Sequence, residues 1–249
     1  MLLLVDAGNT RIKWALLVAA DATWLAAGSV THADIDSLAA DWRRAAAGQN
    51  ITRALISNVA GASLGLQLQA ALPSDVAVQW FASVAELAGV RNRYRTPGQL
   101  GCDRFASAIG AHARFPGQAL IVATCGTATT IDAISAEGDF IGGMILPGLG
   151  LMAQSLARNT AQLPQVAQDL DIAQPFADHT DAAIVSGCLA AQAGAIERAV
   201  ARHGAGQPVL CILSGGAAGL IAPHLALAHQ AVDNLVLIGL QTVAMAGAQ

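Results

Sequence analysis

The chain has 249 residues, of which 54% are apolar and only 12% are charged, and its formal net charge at neutral pH is −4. This length is sufficient for one large domain or two small ones with a substantial buried core. Because the chain has no basic patch and no arginine run, it lacks the electrostatic footprint of a nucleic-acid-binding protein, and we expect no nucleic acid partner.

Cysteine usage and the longest apolar segments limit where in the cell the protein is expected. The four cysteines are Cys102, Cys125, Cys188 and Cys211. They form no CxxC pair, which argues against a disulfide framework or a zinc site and favours free thiols in a reducing compartment. The first apolar run follows no basic segment, unlike a signal peptide, and the apolar residues 235–248 are too few to span a bilayer. We therefore expect a cytoplasmic protein without membrane association.

The first predicted elements are a strand, a turn and a second strand, all within residues 1–17. An apolar run ends at Asp6, a turn that contains Gly8 follows, and Arg11 and Lys13 then alternate with apolar residues. This period of two is typical of a strand. A P-loop or a dinucleotide-binding fold would instead have a helix after its glycine-rich turn.

Two series of predicted elements make up the chain. After the opening hairpin, the first series has strand 23–30, helix 34–48, strand 53–58, helix 64–72, strand 76–81, a polar loop 90–99 and helix 105–114. The second series has strands 119–124, 129–135 and 140–146, helices 149–158 and 180–203, strand 208–213, a helix opening at Ser214, and a last strand 235–238 before a terminal helix.

The two series start alike, because residues 5–10 and residues 123–127 both form a turn with glycine and threonine after a strand. Such a repeat predicts two related halves, residues 1–115 and 116–249, that face each other with one turn on either side of a polyphosphate. The alternative is that two α/β segments resemble each other by chance.

The opening turn suits a metal-bound polyphosphate. Gly8 permits close approach of the backbone and can adopt a positive φ, while the turn N–H groups and the Thr10 hydroxyl can donate to phosphate oxygens. Asp6 can bind Mg²⁺, which usually takes one or two carboxylates and keeps several waters. Thr127 would act like Thr10 in the second turn. The alternative is that both threonines are ordinary turn residues.

A carboxylate and a guanidinium stand side by side in Gly-Cys-Asp103-Arg104. Asp103 could accept the proton of a substrate hydroxyl during phosphoryl transfer, and Arg104 could bind a substrate carboxylate through two N–H groups. The alternative is that Asp103 only caps a helix.

Two glycine-rich segments allow more than one interpretation. Residues 214–219 could support a flat base and a phosphate, or could form a tight strand-to-helix turn. Residues 148–153 match a relaxed dinucleotide fingerprint, which makes a nicotinamide enzyme a remote alternative, although a glycine-rich turn explains them adequately.

An ordered set of motifs runs along nearly the whole chain. The set comprises Asp6-x-Gly-Asn-Thr-x-x-Lys13, Tyr94 with Leu100-Gly-x-Asp-Arg104, Gly126-Thr-Ala-x-Thr-x-Asp132, Gly142-Gly-x-Ile-x-Pro-Gly148, Thr160-Ala-x-Leu-Pro164, residues 180–187 and Ser214-Gly-Gly216. Together these motifs resemble the type III pantothenate kinases.

That resemblance implies an α/β fold of two duplicated actin-like, ribonuclease H-like halves, with mixed sheets and a nucleotide cleft between them. It implies ATP-dependent phosphorylation of pantothenate to 4′-phosphopantothenate, the first step of coenzyme A biosynthesis, by a homodimer. The alternatives are a kinase for another small hydroxyl substrate, or an accessory regulatory protein with weak or no kinase activity.

The resemblance also implies residue roles. ATP would contact Asp6, Ala7, Gly8, Asn9, Thr10, Arg11, Ile12, Lys13 and Thr127. Pantothenate would contact Tyr94, Gly101, Cys102, Asp103, Arg104 and Thr180. Asp103 would be the proton acceptor, Asp6 would bind Mg²⁺, and Thr180 commonly comes from the partner subunit in this family.

One position departs from the family pattern. Members usually carry an aspartate two residues before the glycine of the second turn, where it helps to bind a monovalent cation such as K⁺ or NH₄⁺. This chain has Thr124 there. Because a neutral hydroxyl cannot supply the same charge, we expect weaker activation by K⁺.

Overall fold

The computed structural model describes residues 1–18, 23–166, 176–204 and 206–247. Its strands are β1 Leu2–Ala7, β2 Arg11–Leu17, β3 Trp24–Thr31, β4 Arg53–Asn58, β5 Ala77–Trp80, β6 Glu86–Leu87, β7 Val90–Asn92, β8 Leu120–Cys125, β9 Ala128–Ile134, β10 Asp139–Pro147, β11 Leu210–Ser214 and β12 His229–Ala231. Its α-helices are α1 Leu38–Ala45, α2 Ala62–Ala71, α3 Cys102–Arg114, α4 Leu149–Asn159, α5 Thr180–Gly204, α6 Ala218–Ile221 and α7 Leu235–Ala246. Across these ranges, no helix has both the length and the apolar character needed to cross a membrane.

The chain forms two compact units. The first contains Met1–Pro116, Gly138–Phe140 and Asn234–Gln249, and the second contains Gly117–Glu137 and Ile141–Asp233. Division of the sequence at residues 115 and 116 assigned the terminal helix α7 to the second half, whereas its contacts place it in the first unit.

The first unit is built on a sheet with the strand order β3-β2-β1-β4-β5. Strand β1 runs antiparallel to β2 and parallel to β4. Alternation along β1 sends Leu3 and Val5 into a core that also contains Trp42 of α1 and Leu68 of α2. Asp6 lies on the opposite face, which α3 and α7 cover through contacts with β1 and β4.

Helices α3 and α7 cross at two glycines. A β-carbon on Gly110 would lie 2.6 Å from the carbonyl oxygen of Leu235, and one on Gly239 would overlap the carbonyl oxygen of Ala106. The two backbones are therefore in direct contact, which fixes α3 against α7 and the sheet.

The prediction of a strand over residues 235–238 is wrong, because this segment is the first turn of α7. A short apolar run is typical both of a buried strand and of a helix that is buried on all sides. Leu235, Val236 and Leu237 are all buried, so the apolar run reflects a helix enclosed by its neighbours.

In the second unit the strands follow the order β12-β11-β8-β9-β10. Strand β8 runs antiparallel to β9 and parallel to β11, which is the same pairing that β1 makes with β2 and β4. One face of this sheet, with Ile121 and Leu213, packs against Leu149 of α4 and Leu189 of α5.

Candidate functional site

The turn between β1 and β2 is closed by its own backbone. The Gly8 N–H donates to the carbonyl oxygen of Arg11 at 3.1 Å, while Asn9 and Thr10 are exposed. A β-carbon on Gly8 would lie 3.3 Å from that same oxygen, so the turn leaves little space for a side chain. Gly8 does not adopt the positive φ that the sequence would permit. The glycine is therefore favoured by close packing of the backbone.

The residues predicted to bind ATP divide into two groups. Ala7 and Ile12 are fully buried in the core, so they can contribute only backbone atoms. Arg11 is exposed, and its Nε donates to the hydroxyl of Ser29 on β3 at 2.8 Å. Lys13 is half-buried and lies directly opposite Asp6 in the β1–β2 register.

Asp6 lies at the end of β1, between Lys13 on β2 and Ser57 on β4. Burial and the negative charge of Asp103 raise the pKa of Asp6 to about 7 from the usual 3.8, while Lys13 acts in the opposite direction. Asp103, which is far from Asp6 in the sequence, is thus close enough in the fold for its charge to act on Asp6.

Asp103 lies in the first turn of α3, which begins at Cys102 and not at Phe105 as the sequence predicted. Its Oδ1 accepts a hydrogen bond from the Arg104 N–H at 2.8 Å. Burial raises the pKa of Asp103 above its usual value, although the N–H and the charge of Arg104 oppose this. Gly101, and not Asp103, occupies the N-cap position, so the interpretation of Asp103 as an N-cap residue is wrong.

Strand β4 holds the start of α3 in place. The Ser57 hydroxyl donates to Cys102 Sγ at 3.3 Å, and the Cys102 thiol donates to the Asn58 carbonyl oxygen at 3.6 Å. Because Ser57 is also paired with Asp6, the carboxyl ends of the neighbouring strands β1 and β4 position both carboxylates. Sequence reasoning missed Ser57 and Asn58, although a strand that ends in polar residues beside Asp6 was a usable signal.

The carboxylates at these strand ends fit a magnesium ion that is bound together with a nucleotide. In the described part of the chain, no group of three or more His, Cys, Asp or Glu side chains is arranged to bind a metal. Mg²⁺ commonly takes only one or two carboxylates and completes its shell with water and phosphate oxygens. Asp6 therefore has suitable chemistry for this ligand set.

Arg104 and Tyr94, both predicted to bind substrate, are in direct contact. Arg104 is only 7% exposed, and its Nη1 donates to the Tyr94 hydroxyl at 3.0 Å. Its Cζ lies 5.8 Å from the Tyr94 ring centre and 5.7 Å from that of Phe140. Two aromatic rings therefore fix the orientation of the guanidinium, and Phe140 is a residue that sequence reasoning missed.

The segment predicted as a polar loop over residues 90–99 begins with strand β7. Asp139, at the start of β10, binds the guanidinium groups of Arg91 at 2.7 Å and Arg93 at 2.8 Å. These ion pairs explain why the arginine-rich segment is ordered next to Tyr94, and why Phe140, the next residue of β10, can pack there.

The second predicted turn, between β8 and β9, is packed by two strand-to-helix segments. The Gly148 N–H donates to the Thr127 carbonyl oxygen at 2.9 Å, and the Ala217 N–H donates to that of Cys125 at 3.0 Å. A β-carbon on Gly148 or Gly215 would overlap carbonyl oxygens of the turn. Close packing against this turn therefore explains why residue 148 is a glycine, and no dinucleotide-binding fingerprint is needed to explain it.

Thr124 lies in a row of hydroxyl groups. It is paired with Thr130 on β9 and with Ser214 on β11, and Asp132 follows Thr130 on the same face of β9. Charge count tunes cation affinity, so three hydroxyls bind a cation less strongly than a set with an added carboxylate. The three hydroxyls of Thr124, Thr130 and Ser214 by themselves fit a tightly bound K⁺ poorly.

Thr180 is the first residue of α5 and is exposed. It lies at an apolar cavity of about 580 Å³, whose lining includes Pro147, Met152, Leu156 and Ile184. The structure thus places Thr180 in the second unit, whereas the other predicted substrate residues belong to the first.

Comparison with known proteins identifies related sequences and folds. The type III pantothenate kinase family profile matches residues 2–202. A type III pantothenate kinase from Janthinobacterium sp. (strain Marseille) is 64% identical, with 98% of each chain covered. A Campylobacter jejuni structure described as a Baf family transcriptional activator has a TM-score of 0.65 at 17% identity and covers 99% of this chain and 98% of its own.

A second solved structure, described as a 2-dehydro-3-deoxygalactonokinase from Sinorhizobium meliloti, has a TM-score of 0.63 at 17% identity. The alignment covers 100% of this chain and 99% of that one. At this identity the similarity concerns the fold alone. It confirms the predicted actin-like α/β fold with two mixed sheets.

Proposed function

The chain belongs to the type III pantothenate kinase family, and we propose that in the cytoplasm it phosphorylates pantothenate to 4′-phosphopantothenate with ATP, the first step of coenzyme A biosynthesis. The observation that carries this assignment to individual residues is that Ser57, which is paired with Asp6, binds Cys102 next to Asp103, and that burial and the charge of Asp103 both raise the pKa of Asp6. Carboxylates with raised pKa values are common in active sites, and a carboxylate that binds Mg²⁺ and one that accepts a proton are recurring parts of phosphoryl-transfer sites.

In the proposed site, the turn of residues 8–10 binds ATP phosphates through its N–H groups and through the Thr10 hydroxyl. Lys13 adds positive charge beside Asp6, and Thr127 contributes a second contact from its own turn. Asp6 would hold Mg²⁺, which neutralises charge on the phosphates when it is bound. The opposed placement of the two turns around one nucleotide stays a prediction.

Asp103 would accept the proton of the primary hydroxyl of pantothenate as that oxygen attacks the γ-phosphorus. Burial makes the carboxylate a stronger base than an exposed aspartate, because it raises the pKa of Asp103. Arg104 is fixed by Tyr94 and Phe140, so it presents a pre-oriented positive charge to the carboxylate of pantothenate.

The direct test of this function is release of ADP in a coupled assay. We expect release that requires both pantothenate and Mg²⁺, and no comparable release with other small alcohols. Release without any pantothenate dependence would contradict the substrate assignment, and no release at all would favour an accessory regulatory role.

Because Thr124 is neutral, we expect the enzyme to keep measurable turnover in the same assay when K⁺ is replaced with a large organic cation. A complete loss of turnover without K⁺ would contradict this.

Substitution of Asp103 with asparagine tests the proton acceptor. We expect kcat to fall by about 10²–10⁴-fold, the usual contribution of a positioned base, while ATP binding is retained. The matched control is Asp75→Asn, since Asp75 is exposed and lies in a loop before β5. Near-normal turnover of Asp103→Asn would remove this residue from the mechanism.

We also propose a homodimer that brings Thr180 to the partner's substrate site. Large apolar side chains are exposed in the second unit, among them Ile145 at 66% and Leu151 at 42%. Several exposed apolar side chains within one stretch of the sequence, residues 141–156, are what an interface in this unit would require.

Light scattering of Ile145→Asp tests that interface. We expect a mass of two chains for the wild type and one for the variant, with a raised KM for pantothenate. Leu66→Asp is the control, because Leu66 is 71% exposed on α2 of the first unit and should leave the mass unchanged. A wild-type mass of one chain would contradict the proposal.

A further inference from the structure

The opening turn is held from outside by a histidine. His32 directly follows β3, and its Nε2 lies 2.8 Å from the carbonyl oxygen of Gly8. A carbonyl oxygen can only accept a hydrogen bond, so Nε2 carries the proton and donates it. No motif of the sequence pointed to this residue, because 24 positions separate it from Gly8.

This hydrogen bond determines which way the following N–H group points. The peptide between Gly8 and Asn9 is planar, and in a trans peptide the C=O and the N–H point in opposite directions. With the oxygen held toward His32, the Asn9 N–H must point away from His32. Asn9 is exposed, and among the described residues its N–H makes no backbone hydrogen bond, so that N–H is available to an anion outside the turn.

The segment that carries His32 is itself well anchored. Thr31 is paired with Arg11 in the β2–β3 register, and the Thr31 hydroxyl donates to Asp34 at 2.6 Å. Arg11 also bonds to Ser29 on β3. The backbone that presents the imidazole is therefore fixed on both sides, which allows one side chain to lock the turn.

We propose that His32 is a positioning residue for ATP, which holds the Gly8–Asn9 peptide so that the Asn9 N–H donates to a phosphate oxygen. This inference rests on the proposed function of the turn. Without the imidazole the peptide can rotate, and its carbonyl oxygen would then face the phosphate and repel it. Preorganised N–H groups of this kind contribute most where they meet a negative charge.

Two substitutions of similar size separate the hydrogen bond from the bulk of the side chain. His32→Gln keeps an N–H donor near the position of Nε2, whereas His32→Met fills the space without one. We expect the methionine variant to lose about tenfold in ATP affinity, the effect of one hydrogen bond to a charged group, and the glutamine variant to recover most of it. His224→Met is the control, because His224 is exposed and belongs to the second unit.

Binding of ATP and of adenosine, measured by calorimetry without pantothenate, gives the decisive comparison. We expect His32→Met to weaken ATP and to leave adenosine unchanged, and in turnover we expect it to raise KM for ATP but not for pantothenate. Equal loss of both ligands, wild-type ATP affinity in His32→Met, or failure of His32→Gln to recover would each overturn the inference. Failure of the proposed function looks different, since wild type would then bind ATP without phosphorylating pantothenate.

Discussion

The burial of two neighbouring carboxylates is the constraint on which the proposed site depends. Asp6 and Asp103 come from a strand and a helix that are distant in sequence, and burial together with the charge of Asp103 raises the pKa of Asp6. Placing like charges together away from water lowers the stability of the ligand-free fold, because each charge disfavours the other. Such an arrangement persists in proteins when a ligand needs it, and a bound cation and a reacting hydroxyl would relieve both charges.

The surrounding structure explains how the pair is held. Asp6 ends a central strand, and the parallel neighbour of that strand binds the first residue of α3 through Ser57 and Cys102. The same helix is pressed against α7 at Gly110 and Gly239, so its N-terminus cannot shift easily. Arg104, one residue beyond Asp103, is fixed by aromatic rings. Rigid positioning of this kind is the main contribution that a protein makes to phosphoryl transfer.

Local patterns predicted the parts of the fold that depend on local physics. Alternation revealed β2, and a strand that ends in a carboxylate identified Asp6. The sequence could not reveal Phe140 or His32, since each acts through a contact with a distant segment and has no motif of its own. The prediction of a strand over residues 235–238 was wrong for a related reason. The local apolar run fits both a helix and a strand, and the distant segments that enclose α7 decide which of the two forms.

The most direct measurement of the central constraint is a carboxyl NMR titration of Asp6 in ligand-free protein, compared between wild type and Asp103→Asn. We expect the wild-type pKa of Asp6 near 7, against the usual 3.8, so that its proton is lost only as the pH rises through neutrality. In Asp103→Asn the pKa should be lower, because the neighbouring negative charge is gone, although burial keeps it above the usual value. An Asp6 that titrates near 3.8 in the wild type, or whose pKa is the same in both proteins, would contradict the paired site.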